Sequence, residues 1–423
     1  MAGSLVAGVV PPLGVPALAD QASPAASAAP SPSPSPSDAS NAVAVPCDPD
    51  RLIAAIALAN AHGGGTLRLA DGCTYTLTAL STTGRGNTGL PVITRPISIL
   101  GQNATIARAT TAAAFRIFDV ANGGELTLER LTIRGGDDAS QTVGGGGMLV
   151  ESGGTADLTN CTVTRNTAAF NGGGINNLGV LRVNQSDITG NSAAEDGGGI
   201  ESGGSLRVEN SRLADNHSGA FGGAILSGGL TEMDGSTLNH NGAQAGGGLF
   251  VIGSATRVAT SSISDNTTSA TGGGIQVDGP GQLAVQESTI SGNVATGDGG
   301  GILGAGKGLS VVLESTEVSG NTTRGNGGGL NNSTGSASLR NSTVSGNNAI
   351  GPNSRAGGIV NDGGIVALRH TAVTGNSATL PPGGIFSDNG IGGSVTVDTT
   401  SAVVGNRPAN CSGNTSPIAN CFG

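Results

Sequence analysis

The chain runs to 423 residues, 76 of them glycine, with 11% charged and 2% aromatic residues and a net charge of −10. Glycine comes in runs rather than at every third position and proline totals only 18, which excludes collagen; 36% hydrophobic residues exclude a chain disordered by charge. The acidic balance argues against a nucleic acid as partner, and no apolar run approaches the ~20 residues a membrane span needs.

In chain order, residues 1–19 form an apolar stretch ending in Ala17-Leu18-Ala19, an A-x-A cleavage pattern that reads as an export signal. Residues 20–46 are rich in Ala, Ser and Pro and read as a solvated, disordered linker. Asp48 as N-cap, Pro49 at the first helical position and Gly63 as stop then frame a short helix at about 48–62, with Leu52, Ile53 and Ile56 as its apolar stripe. Strand-like segments follow at 66–69 and 74–80. Cys47 and Cys73 bracket this unit and Cys411 and Cys421 bracket the far end, so two local disulfides are expected, fitting an oxidising compartment. Only four histidines and no C-x-x-C occur, so zinc spacing is absent, and the sequence calls for no cofactor.

From about residue 144 to 406 the chain repeats. One anchor is Gly-Gly-Gly followed by an apolar residue, as at Ile175, Ile200, Ile275 and Ile302. The other ends in Asn: Asn166, Asn191, Asn216, Asn241, Asn266, Asn293, Asn321, Asn347, Asn376 and Asn406. Three residues before each Asn stands an apolar side chain, Val163 through Val403, and five before it a small one, Ser or Thr in every copy except Cys161. The residue between them is mostly polar, and this in–out–in alternation is the period of a strand, not of a helix. Short strands joined by glycine turns and stacked at a fixed period make a solenoid. The expected fold is therefore all-β: a single-stranded right-handed parallel β-helix over 47–423, with an inward asparagine ladder. Counting the less regular segments at 91–135, it would have 12 or 13 coils and run ~55–65 Å at ~4.8 Å per coil. The helix would cap its N-terminal end, and residues 407–423 would form the C-terminal edge.

Leu52-Ile53-Ala54-Ala55-Ile56 through Gly63-Gly64-Gly65-Thr66 and Cys73-Thr74-Tyr75 resembles the capping helix and first coil of pectin-lyase-like β-helices. The repeats, such as Ser288-Thr289-Ile290-Ser291-Gly292-Asn293, and the ending from Gly405 to Gly413 resemble secreted bacterial repeat proteins of the CSLREA and polymorphic outer-membrane-protein types. The resemblance implies an exported surface or extracellular protein.

Candidate sites are few. Asp137 and Asp138 form the best acidic pair for a polysaccharide lyase or hydrolase, against the simpler reading of a solvated turn; Glu195-Asp196 reads the same way. Nine residues before successive ladder asparagines, Asp157, Arg182, Arg207, Glu232 and Arg257 fall in one outward column. With Asp187 and Arg212 they form a charged patch that could face an anionic glycan, or simply be a solvated column of mixed sign. Cys161, in the small inward position, reads as a buried structural thiol. The expected function is a secreted or surface-attached, non-catalytic adhesive or structural rod whose partner is an extracellular polysaccharide or cell-surface glycan. The alternative is a polysaccharide lyase or glycoside hydrolase on the same fold. Oligomeric state is left open.

Overall fold

A computed structural model of the chain describes residues 42–81, 86–388, 392–413 and 417–422. The expected export signal, and the linker as far as residue 41, lie outside the described residues. The described residues form a right-handed parallel β-helix of about 13 turns with one helix. Each regular coil passes through three parallel sheets, here named A, B and C. In the coil that starts at Ile175, Ile175–Asn177 joins sheet C, Val180–Asn184 and Asp187–Thr189 both join sheet A, and Ser192–Ala193 joins sheet B. Among the described residues the three sheets contain 25, 10 and 12 strands.

Backbone chemistry explains where the chain turns. Within sheet A each coil bends at one residue in the left-handed region: Asn160, Gln185, Asn210, Thr260 and Asn341 have φ of 45–54°. The sequence assigned the turns to glycine; Gly235 holds this corner in one coil, but at these five corners non-glycine side chains hold it, a strain of roughly 1–2 kcal/mol each that the surrounding ladder bonds offset. The glycine run enters sheet C and meets two different demands. Gly197 has φ +63°, and a Cβ on Gly198 would stand 2.5 Å from the carbonyl oxygen of Gly223 in the next coil.

The interior is a set of columns. Ile175, Ile200 and Ile225 stack on sheet C, while Leu181 and Leu206 stack on sheet A beside Ile188 and Leu213; all are buried in a single cluster that continues from Val45 to Ile418. Along one corner run the ten ladder asparagines. Each Nδ2 from Asn166 to Asn376 donates to Oδ1 of the next coil's asparagine at 2.9–3.0 Å. The same Oδ1 also accepts the preceding rung's backbone N–H, as Asn216 does from Asn191 at 3.0 Å. The ladder is closed at both ends: Gly136 N–H donates to Asn166, and Asn406 donates to Asn410. A parallel row of hydroxyls does similar work, Ser186 N–H donating to Ser211 Oγ at 3.0 Å. Cys161 stands in this row; burial pushes its thiol up to about 11, and Sγ donates to the carbonyls of Leu128 and Thr159.

The helix spans Pro49–Ala61, and Asp48 accepts the backbone N–H groups of Asp50 and Arg51. Leu52 and Ile56 plug the first coil, and the Cys47–Cys73 disulfide ties the helix to it. The strand expected at 74–80 ends earlier, at Thr74–Leu77. Val43–Val45, placed by composition in the linker, pairs with Leu67–Leu69 as a further strand of sheet A. At the other end the Cys411–Cys421 disulfide holds a loop that buries Ile418 over the last coil.

Candidate functional site

Asp137–Asp138 is not a solvated turn. The pair forms a short strand of sheet B beside Thr167–Ala168. Asp138 is 2% exposed, 3.0 Å from the guanidinium of the fully buried Arg116, and it accepts the Gly144 N–H; burial raises its carboxyl and Arg116 opposes that rise. Asp137 pairs with Arg108 at 3.3 Å and accepts from Thr167 Oγ1. Asp138 is engaged inside the rod wall and Asp137 at its half-buried surface, because coil closure brings arginines from the preceding segment onto them.

The outward column on sheet A lies in register: Asp157 opposite Arg182, then Arg207, Glu232 and Arg257 on successive coils. Arg182 pairs with Asp157 at 3.0 Å, and Arg207 with both Glu232 and Glu209 at 2.7 Å. The hydrogen bond with Glu209 holds the Arg207 guanidinium above its ordinary value. Arg257 donates to Gln286, and Asp187 lies opposite Arg212, which reaches Asp215 at 3.5 Å. Each of these arginines therefore has a polar partner in the patch or beside it, although Arg207 Nε is buried without one.

The outer face of sheet C differs. Its outward column runs Asn176, Glu201, Leu226, Phe250, Gln276, Leu303, Asn331, Val360 and Phe386. Outward residues of a bare sheet would be wet, but most of these are buried, because the loop leading into each glycine run folds back over them. The backbone at Gly197 lies against that of Glu201, and Leu226, Ala245 and Phe250 form their own apolar cluster. The ring of Phe221, on the rim, stacks on Phe250 with centroids 4.7 Å apart and remains 37% exposed. Farther along, Ala356, Val360 and Phe386 form a second cluster, with the Arg355 guanidinium 5.1 Å from the Phe386 ring.

The carboxyls of this face are perturbed by the same cover. Burial, helped by the charge of Asp196, pushes Glu201 up to about 7, and its Oε2 is buried without a hydrogen-bond partner. Burial also raises Asp196, which accepts the Phe221 N–H, and Asp278, which accepts from Gln276. Asp362 is raised by burial and by Asp298 and Asp388. Carboxylates on the face and its rim include Asp119, Glu151, Glu195, Asp196, Glu201, Asp278, Asp298, Asp362 and Asp388, and cations include Arg116, paired with Asp119 at 3.7 Å, Arg324 and Arg355.

Sequence reasoning missed Glu201 and took Asp196 for a turn residue. A signal existed: the residue after the apolar anchor is uncharged in the other nine regular copies, and Glu201 breaks that pattern.

No family model and no curated protein matches the chain. Among solved structures the chain is similar to the A-module of the Azotobacter vinelandii mannuronan C-5 epimerase AlgE6, with a TM-score of 0.51 and 15% identity over 82% of this chain and 95% of that one. The AlgE4 A-module from the same organism aligns with a TM-score of 0.35 and 12% identity over 84% of this chain and 95% of the other. The AlgE6 likeness shows a shared parallel β-helix fold.

Proposed function

We propose that the chain is an extracellular, glycan-interacting rod that works as an adhesive or structural element by binding rather than catalysis, and that it engages its glycan along the outer face of sheet C. The observation that carries this reading is the contrast between the two outer faces. On sheet A the arginines have partners in the patch or beside it, whereas sheet C combines partly desolvated carboxyls with exposed apolar side chains, the mixture that sugar sites use for hydroxyls and ring faces. The AlgE6 module, by name an epimerase of mannuronan, supports a polysaccharide as the ligand class. The two disulfides support an oxidising, extracellular setting. Binding without catalysis is supported by Asp137 and Asp138, whose carboxylates are already committed to Arg108 and Arg116.

The test is a glycan array probed with the full chain, followed by Phe221→Ala on sheet C and Arg207→Ala on sheet A. The expected result is binding of a defined glycan that Phe221→Ala weakens at least tenfold and Arg207→Ala leaves intact. The reverse pattern would move the site to the sheet A column. Appearance of unsaturated or newly reducing sugar ends during incubation would replace the binding role with a lyase or hydrolase.

A further inference from the structure

Beside the anchors of sheet C runs a second outward column, and two consecutive positions in it, Gly203 and Gly228, carry no side chain. Neither glycine is needed by the fold. Neither lies in the left-handed region, a Cβ on Gly203 would meet only the Leu178 side chain at 3.6 Å and Glu201 Oε1 at 4.0 Å, and one on Gly228 would meet nothing closer than 3.9 Å. By contrast, a Cβ on Gly229, the next residue, would stand 1.9 Å from the Gly204 carbonyl oxygen. The spare pair opens a notch in the face. Leu178, 38% exposed, and Ile252, 45% exposed, stand on the flanking coils as its ends. Glu201 and the exposed ring of Phe221 lie on the side toward the rim.

We propose that this notch is a subsite for a sugar unit bearing a protonated amino group; the assignment deepens the glycan reading above and rests on it. The notch offers apolar surface at both ends and an aromatic ring nearby, which suit the C–H faces of a pyranose. Its polar side offers carboxyl oxygens: Glu201 Oε1, 4.0 Å from where a Cβ on Gly203 would stand, with Oε2 buried behind it, and Asp196 as the neighbouring charge. What the site lacks is a hydrogen-bond donor carrying positive charge, and an ammonium supplies both. A polyuronate would place its carboxylates against those of Glu195, Asp196 and Glu201, a like-charge contact that rejects it. A neutral sugar would donate hydroxyls but leave the charge uncompensated.

The experiment is calorimetric titration of the full chain with three oligosaccharides of equal length: glucosamine, N-acetylglucosamine and mannuronate oligomers. Glucosamine oligomers are expected to bind at least tenfold tighter than either of the others. Glu201→Gln and Gly228→Leu, the second of which fills the notch, are each expected to remove at least tenfold of that affinity with circular dichroism unchanged. Should Gly228→Leu fail to fold, Gly203→Ala combined with Glu201→Gln decides the matter. Equal binding of the three oligomers, or undiminished binding by the folded variants, overturns the subsite and leaves the glycan reading standing. So does a glycan array whose hits depend on Phe221 but include no amino sugar. An array blank for every glycan removes both.

Discussion

On the outer side of sheet A, Arg182 meets Asp157 at 3.0 Å and Arg207 meets Glu232 at 2.7 Å between neighbouring coils; on the outer side of sheet C, Glu201 is pushed up to about 7 and has a buried oxygen with no partner. Both faces are made by the same coils at the same spacing, so the fold alone does not set this difference. Sheet A is uncovered, its charges stay hydrated, and alternation of sign from coil to coil lets them satisfy one another at little cost. Sheet C is covered by the loops that lead into its glycine runs, so Glu201 in its first outward column is desolvated and its carboxyl is pushed up. Sheet A is thus largely charge-paired, with Arg207 Nε its one buried nitrogen without a hydrogen-bond partner among the described residues, whereas sheet C holds a desolvated carboxyl, Glu201, with no ion pair among those residues.

Both faces rest on one core, and disrupting it gives the largest expected effect. Ile290→Asp, behind sheet A, and Ile275→Asp, behind sheet C, each bury a charge in the shared cluster and should each cost at least ~4 kcal/mol in urea unfolding. Collapse of one variant alone would mean that the faces are supported independently. Next in size is Glu201→Gln. Its carboxyl ordinarily titrates near 4.5 and in the fold at about 7, so the folded state binds that proton more tightly. Wild-type stability then falls as pH rises from 4.5 to 7, and the loss is complete above that range. Removing the charge should stabilise the protein by roughly 2–3 kcal/mol at pH 8 and by almost nothing at pH 4; a pH-independent change would place Glu201 in water and erase the contrast. Arg207→Ala should cost less than about 1 kcal/mol, and less still in high salt, because its partners are partly solvated. A larger, salt-insensitive loss would make sheet A as desolvated as sheet C. Smallest of all, Gly228→Ala should alter the unfolding free energy by no more than about 0.5 kcal/mol, while a loss above ~2 kcal/mol would show that the fold requires this glycine after all.

Much of the interior was legible because it repeats. An apolar residue three before each asparagine, a small one five before it and glycines ahead of the next anchor each report a single environment sampled ten times, and stacking turns each into a column. Outer charges on sheet A were legible for the same reason, since their fixed distance from the ladder determines their register. Asp138 was not, because its burial depends on Arg116, a residue of the irregular segment whose place is set only when the coil closes. Glu201 was missed for a related reason. Strand alternation marks it as outward, and outward is equated with wet until the loop across Gly197 is known to cover it. The left-handed corners at Gln185 and Thr260 left no trace in composition either, since the backbone there is constrained by its neighbours in the stack rather than by its own side chain.

The asparagine ladder bears on how such a molecule changes over generations. Every rung from Asn191 to Asn376 makes the same side-chain bonds to the rung before it and the rung after it. A gene segment encoding one coil can be duplicated or deleted between those rungs, and the new neighbours meet with donors and acceptors already matched. The terminal arrangements, Gly136 on Asn166 and Asn410 beyond Asn406, have no such freedom and must be inherited intact. Reach is thus an evolvable quantity in this architecture, adjustable in steps of one coil without rewriting the interior, while a feature confined to two or three coils, such as the notch at Gly203 and Gly228, can be copied, moved or lost as a unit.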